Sequence, residues 1–346
     1  MCSIRYPVID QPCKPHTKRS RAVDLITWAL VLAALPLCAA WLLGMRWYWF
    51  DVLASQQLLI GWAALTLAAI VVALRRWRAA FSLLLFGCLA LTPVVTRRQW
   101  VLPEVDVAHK DKGIFRVVSC NINPLNDGWQ RAAQTLMDLD ADIVILLELS
   151  PVMSWKIQDH GALPDERYQY RLFRGWQRER VSACAIFSRW PLERIGTDED
   201  KVSADNALYA RLDRPGGSCM VGLMHPLSPR SAKRWAIGNE VTSVQADLAS
   251  DISGRTGLPV VMGVDLNAGP AQQRGRKMRS RGLRMSKPVL RVGGSFPVNS
   301  ALPTWAVPQL DDVWSLGDAR AIAWTMFEVS GSDHRAVVVD LRIGGE

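Results

Sequence analysis

The chain has 346 residues, 41 Lys plus Arg against 32 Asp plus Glu, and a formal charge of +9. That length accommodates more than one domain, and no period or low-complexity tract marks a repeat protein or a biased one. Part of the positive charge flanks apolar runs, so the excess cannot be read whole as a nucleic-acid footprint.

Residues 1–101 read as a membrane anchor. The runs 23–43, 58–74 and 79–95 are almost wholly apolar, with Asp24 the one charge among them. Each approaches the length that spans a bilayer core, the second and third near the short limit of roughly 17 residues. A cleaved signal peptide accounts only for the first run, so three retained spans are preferred to two. Lys14, Lys18, Arg19 and Arg21 precede the first run, and Arg75, Arg76 and Arg78 separate the last pair. The first loop, 44–57, holds only Arg46 against Asp51 amid Trp47, Tyr48 and Trp49, the pattern of an external loop with an aromatic belt. Three spans that start in the cytoplasm place the rest of the chain outside it, although Arg97 and Arg98 pull the other way.

A polar linker, 102–112, leads to a second domain over 113–346. Its Val- and Ile-rich runs predict strands at 115–120, 143–147, 183–187, 207–212, 219–224, 259–264 and 336–341. Apolar spacing predicts helices at 129–139, 231–250 and 270–281, giving an α/β layered domain. Of the seven cysteines, Cys120, Cys184 and Cys219 fall in or beside these strands without metal-ligand spacing, which reads as small buried hydrophobes.

Polar residues recur where strands run out. Asn121 and Asn123 follow the first strand, Glu148 the second, and His225 the run 219–224. Asp265 and Asn267 follow 259–264, Asp311 and Asp312 sit between Leu310 and Val313, and Ser332-Asp333-His334 precedes the last strand. Taken singly each has a structural explanation: a turn starter at Asn123-Pro124, an Asx-type loop at 265–269, a helix-start acid at Glu148. Gathered at strand ends, they are how an α/β domain builds a site.

With Ala185-Ile186-Phe187-Ser188-Arg189 and Pro303-Thr304-Trp305, these motifs resemble, in order and over 113–343, the endonuclease/exonuclease/phosphatase superfamily, and most closely its bacterial members with N-terminal membrane helices. Departures are Leu147 before Glu148, Val264 before Asp265, and Asp311-Asp312 where Asp-His is common. The resemblance implies a four-layer α/β/β/α sandwich and a divalent-metal phosphoesterase using Mg²⁺ or Mn²⁺. By the same resemblance Glu148 is the principal metal ligand, Asn121 and Asn123 lie beside the metal, and Asp333 completes its shell. Asp265 orients or deprotonates the attacking water, His334 faces the phosphate backed by Asp311, and Asn267 and His225 donate to phosphate oxygens.

The substrate is expected to be a phosphodiester, either nucleic acid or a lipid headgroup, with the domain in the periplasm on a bacterial inner membrane. A nuclease or general phosphodiesterase is the leading expectation; a membrane lipid or inositol-type phosphodiesterase or phosphatase and a catalytically silent binding or scaffold member are the alternatives, and the intact acid and imidazole set speaks against the last. Arg274, Arg276, Lys277, Arg279, Arg281, Arg284, Lys287 and Arg291 form either a basic face for an anion or a solvated surface. Trp155, Trp176, Trp190 and Trp235 are either interface or packing residues.

Overall fold

The computed structural model describes residues 18–96, 113–159, 166–174, 183–195, 207–291 and 293–344. The expected linker, Lys14, Arg97, Arg98 and Trp176 lie outside them. The strands are β1 (Ile114–Asn121), β2 (Ile143–Leu149), β3 (Tyr170–Arg174), β4 (Ala183–Ser188), β5 (Leu192–Ile195), β6 (Ala207–Leu212), β7 (Cys219–Met224), β8 (Val260–Asp265), β9 (Arg284–Met285), β10 (Asp311–Leu316), β11 (Ala319–Glu328) and β12 (Arg335–Ile343). The helices are α1 (Lys18–Cys38), α2 (Ala40–Leu43), α3 (Tyr48–Ala54), α4 (Gln57–Ala73), α5 (Trp77–Val95), α6 (Trp129–Asp138), α7 (Pro151–Asp159), α8 (Ala232–Thr256) and α9 (Gln273–Ser280).

Two six-stranded mixed sheets result, ordered β11-β12-β1-β2-β4-β3 and β5-β6-β7-β8-β10-β9. Period-two alternation sends successive side chains of each strand to an inter-sheet core and to an outer core under the helices. Phe115, Val117, Ile143, Ile145, Val221, Val261 and Val313 meet between the sheets. Val118, Cys120, Val144 and Leu146 face outward onto Ala132 and Leu136 of α6 and Ile157 of α7, while Met220, Val260 and Met262 face Ala246, Ala249 and Ile252 of α8. Strands buried on both faces explain the continuous apolar runs of the sequence. Helices, sheet, sheet and helices therefore lie in four layers.

This topology aims the strand ends at one place. β1 runs parallel to β2, and β7 parallel to β8, so each pair finishes at the same edge of its sheet. β12 and β10 run antiparallel to β1 and β8 and begin at those edges, with Asp311 directly opposite Asp265.

The three expected spans correspond to α1 with α2, α4, and α5. Among the described residues only α5 is long and apolar enough by itself to cross a membrane; α3 with α4 qualifies as a pair bent by 72°, and the apolar part of α1, Ala22–Cys38, is shorter. The first run is not one continuous helix: α1 contains Pro36, and the chain breaks at Ala39 before α2. Asp24, the one charge in that run, is paired with Arg76. Helices α1, α4 and α5 pack through Val31, Ala68, Val71, Ala80 and Leu83, leaving Leu25, Ile26, Leu32, Trp62 and Phe81 exposed.

Other expectations need correcting. Helix α7 and strands β3, β5, β9, β10 and β11 are absent from the predicted elements. Asp311 and Asp312 open β10, because each acid finds partners there: Asp312 accepts from Trp324 Nε1 (3.0 Å), Lys287 N (2.9 Å) and Val313 N (2.8 Å). The basic run is not one solvated face either. Arg274 and Lys287 are buried, the latter donating to Gly293 O and Gln309 Oε1. Trp190 packs against the inter-sheet core, whereas Trp155 is exposed.

Candidate active site

Asp265 ends β8 and is 1% exposed. Its Oδ2 accepts from Asn121 Nδ2 (2.9 Å) at the end of β1, and its Oδ1 from the backbone N of Asn267 (2.9 Å). His225 Nε2 lies 3.4 Å from the same Oδ2, and His334 Nδ1 3.9 Å from it. Burial alone would raise this carboxyl, but His334, His225 and the hydrogen bonds from Asn121 and Asn267 outweigh it and hold Asp265 below the usual carboxylate range.

His334 is buried, with Nδ1 2.7 Å from Asp311 Oδ2. Burial opposes its charge, yet facing Asp311 and Asp265 pushes it up to about 10, so it carries a proton at neutral pH. The ring is braced by Phe296 at 4.5 Å between centroids. Its backbone N donates to Ser332 Oγ (3.0 Å), which donates to Asn121 O (2.6 Å). Ser295 Oγ accepts from the backbone N of both Leu310 and Asp311 (3.0 Å each), fixing where β10 begins. Ser295 and Phe296 carried no signal in the sequence, because both lie in a stretch without periodicity.

Glu148 stands where the pairing of β2 with β4 is irregular, between Leu146 and Leu149. A bulge of this kind re-aims a side chain. Its φ is +56° and its side chain is 28% exposed, with Oε1 3.2 Å from His225 Nε2. Non-glycine positive φ occurs among the described residues at Arg75, Asn123, Asp140, Glu148 and Asn267; three of the five are predicted site residues, and such backbone costs of order 1–3 kcal/mol each.

Asn123 Nδ2 donates to Asp333 Oδ1 (3.1 Å), and its backbone N to Asn121 Oδ1 (3.1 Å). Asn267 Nδ2 donates to Pro226 O (3.2 Å) and lies 3.0 Å from His225 Nε2. Asn267 thereby bridges the His225 ring and the Pro226 carbonyl. Eight of the nine predicted residues thus join one hydrogen-bonded set, in which Asn123 and Asp333 connect to the centre through Asn121 and the His334–Asp311 pair through Ser332; Glu148 lies beside it against His225.

Two groups of donors could hold a cation. Asp265, Asp311 and His334 place their ligand atoms within 4.8 Å of one another, but they are buried, with His334 already bonded to Asp311 and Asp265 to Asn121 and Asn267. Glu148 and Asp333 are the more accessible carboxylates.

The family model for the endonuclease/exonuclease/phosphatase family matches residues 124–334. No curated protein matches the chain. Among solved structures, a conserved protein of unknown function from Enterococcus faecalis V583 is 13% identical with a TM-score of 0.53, covering 66% of this chain and 100% of its own. The mannosyl-6-phosphatase of Bacteroides thetaiotaomicron VPI-5482 is 18% identical with a TM-score of 0.51, covering 66% and 99%. An endonuclease/exonuclease/phosphatase from Beutenbergia cavernae DSM 12333 is 19% identical with a TM-score of 0.50, covering 67% and 72%. At these identities the structures establish the fold, whereas the family model spans more than half of the chain: it belongs to the endonuclease/exonuclease/phosphatase family and is a phosphoesterase hydrolase.

Proposed function

We propose that the chain is a membrane-anchored, divalent-metal-dependent phosphodiesterase whose catalytic domain, 113–346, lies outside the cytoplasm. The observation that carries the catalytic reading is the convergence of Asp265 and the His334–Asp311 pair from different strands, beside Glu148 and His225.

The donor chemistry fits a hard cation. Glu148 and Asp333 offer carboxylate oxygens with solvent access, and Mg²⁺ takes one or two carboxylates while keeping several waters; Mn²⁺ suits the same set. Asn123 is bonded to Asp333, and Asn121 to Asp265 and to the backbone of Asn123, so both amides would lie near a cation held there. When bound, the metal supplies positive charge against developing negative charge on the phosphate. Asp265, kept ionised by its neighbours, orients an attacking water and takes its proton. His334, with Nδ1 tied to Asp311, has Nε2 left to donate to a phosphate oxygen as charge grows. His225, held by Asn267, neighbours both carboxylates.

Membrane attachment is supported by the exposed apolar side chains of α1, α4 and α5. Topology is supported by a contact. Tyr48 and Asp51, in the loop between the first two expected spans, bond to Pro229, Trp235 and Gln273 of the catalytic domain. The loop and the domain then share one side of the bilayer, as they do when three spans lie between the N-terminus and the domain. A reporter fused after Glu346 tests this; activity only in the cytoplasm would reject it.

The fold is shared with a mannosyl-6-phosphatase, so substrate choice lies in the loops. Detergent-purified protein offered DNA, RNA, labelled phospholipids and phosphomonoesters with Mg²⁺ or Mn²⁺ should cleave a phosphodiester. A salt-sensitive activity confined to nucleic acid would discard the lipid alternative, and activity on monoesters alone would discard the phosphodiesterase.

A further inference from the structure

A helix start leaves backbone donors without partners, and a side-chain oxygen normally supplies the cap. Helix α9 has no such cap from its own N-cap residue, Gln272. The missing acceptor comes from far away in the chain. Asp51 of α3, 2% exposed, accepts from Gln273 N through Oδ1 (2.7 Å) and from Trp235 Nε1 of α8 through Oδ2 (2.9 Å). A carboxylate at a helix N-terminus also complements the helix dipole. Around it Tyr48 Oη donates to Pro229 O (2.7 Å), and the Arg276 guanidinium lies over the Trp41 ring at 5.3 Å.

One residue beyond the capped amide is Arg274, 1% exposed. Its Nη1 donates to Leu266 O (3.0 Å), its Nη2 to Leu227 O (2.9 Å) and its Nε to Asn239 Oδ1 (3.3 Å). Leu266 lies between Asp265 and Asn267, and Leu227 follows His225 by two residues. One guanidinium therefore staples the two loops that carry these side chains. Space for it is made by Gly238 of α8, where an added Cβ would stand 2.0 Å from Arg274 Nη2. The first turn of α9 also packs on the loop itself, since a Cβ at Gly275 would meet Gly269 O at 2.8 Å.

We infer that Asp51 is a positioning residue for the reaction, acting through the start of α9 and Arg274 on the loops of Asp265, Asn267 and His225. The N-terminal helices are thereby part of the scaffold of the active site, beyond serving as its tether. This rests on the proposed roles of Asp265 and His225.

The test uses the full chain in detergent and a small soluble chromogenic phosphodiester with Mg²⁺, so that orientation at a surface plays no part. Asp51→Leu and Gly238→Ala should each lower kcat about 10- to 100-fold with KM within about threefold, the effect of a reacting group displaced by a fraction of an ångström. Trp235→Phe, which removes one of the two bonds to Asp51, should fall between them and the parent. Asp51→Leu combined with Arg274→Lys should lose less than the product of the two single losses, because both act along one path. Hydrogen exchange should quicken at Gln273 and over 266–269 in Asp51→Leu.

Parental kcat in folded Asp51→Leu, or multiplicative losses in the double variant, overturns the inference. If Asp51→Leu does not fold, Gly238→Ala and Trp235→Phe decide it by the same kcat criterion. If the parent cleaves no phosphodiester, the functional proposal fails instead, and the exchange measurement still decides the mechanical link: unchanged rates over 266–269 refute it.

Discussion

Asn121 Nδ2 donates to Asp265 Oδ2 over 2.9 Å, and the bond runs from one sheet of the sandwich to the other. Sheets normally pack about 10 Å apart, too far for two short side chains to meet without a close approach. Gly263, two residues before Asp265 on the same face of β8, provides it: a Cβ there would lie 2.7 Å from Ser119 Oγ and 2.8 Å from Ile145 Cδ1. Gly263→Ala is expected to cost about 1–3 kcal/mol and to lower kcat together with stability. Chemical denaturation and kinetics on the same preparation check this; a variant of parental stability and rate would show that the sheets do not meet there as closely as described.

Asp265→Ala and His334→Ala are expected to lose activity by roughly 100-fold or more, the scale of losing a general base or an electrostatic stabiliser. Asp311→Asn should lose less, since the imidazole stays but its charge and tautomer are no longer fixed. Near-parental rates in either alanine variant, with the fold verified by circular dichroism, would remove that residue from the mechanism.

Glu148 couples strain to chemistry. At φ +56° a glycine relieves the backbone, so Glu148→Gly should be as stable as the parent or more so, whereas Glu148→Ala should be less stable than Glu148→Gly by about 1 kcal/mol. Both should be nearly inactive, and Glu148→Gln should need at least about tenfold more Mg²⁺ for half-maximal rate. EDTA should abolish parental activity and added Mg²⁺ or Mn²⁺ restore it. Thermal melts with metal titrations check all of these, and EDTA-resistant hydrolysis would refute the metal.

The site was legible because its residues end apolar strands. Val260 to Val264 announces β8, so Asp265 stands out against it, and Asn121, Glu148 and His225 stand out for the same reason. Asp311 belonged to the same pattern, but its role came only through the family motif, since two acids at the start of a strand contradict strand propensity and are reconciled by partners distant in sequence. Arg274 and Lys287 look like neighbours in a basic run, yet both are interior. Their acceptors are backbone carbonyls, Asn239 and Gln309, and local sequence carries no trace of these. Asp51 read as a loop charge for the same reason: its partners, Trp235 and Gln273, are contributed by another part of the fold.

The His334–Asp311 pair has a consequence for stability. An unfolded histidine titrates near 6.5, and in the folded protein His334 is pushed up to about 10, where Asp311 and Asp265 outweigh the opposing effect of burial. A folded pKa above the unfolded one means that protonation favours the native state. The contribution is complete below about pH 6.5, erodes as pH rises, and is gone above about pH 10. In chelator-treated protein, the melting-temperature difference between the parent and His334→Gln should be widest at pH 6 and narrow by several degrees towards pH 10. Subtracting the variant cancels groups that titrate in both proteins, leaving His334 as the source of the trend. A difference that stays flat from pH 6 to 10 would mean that the imidazole does not hold its proton in the folded state, and the electrostatic role given to it would go with that.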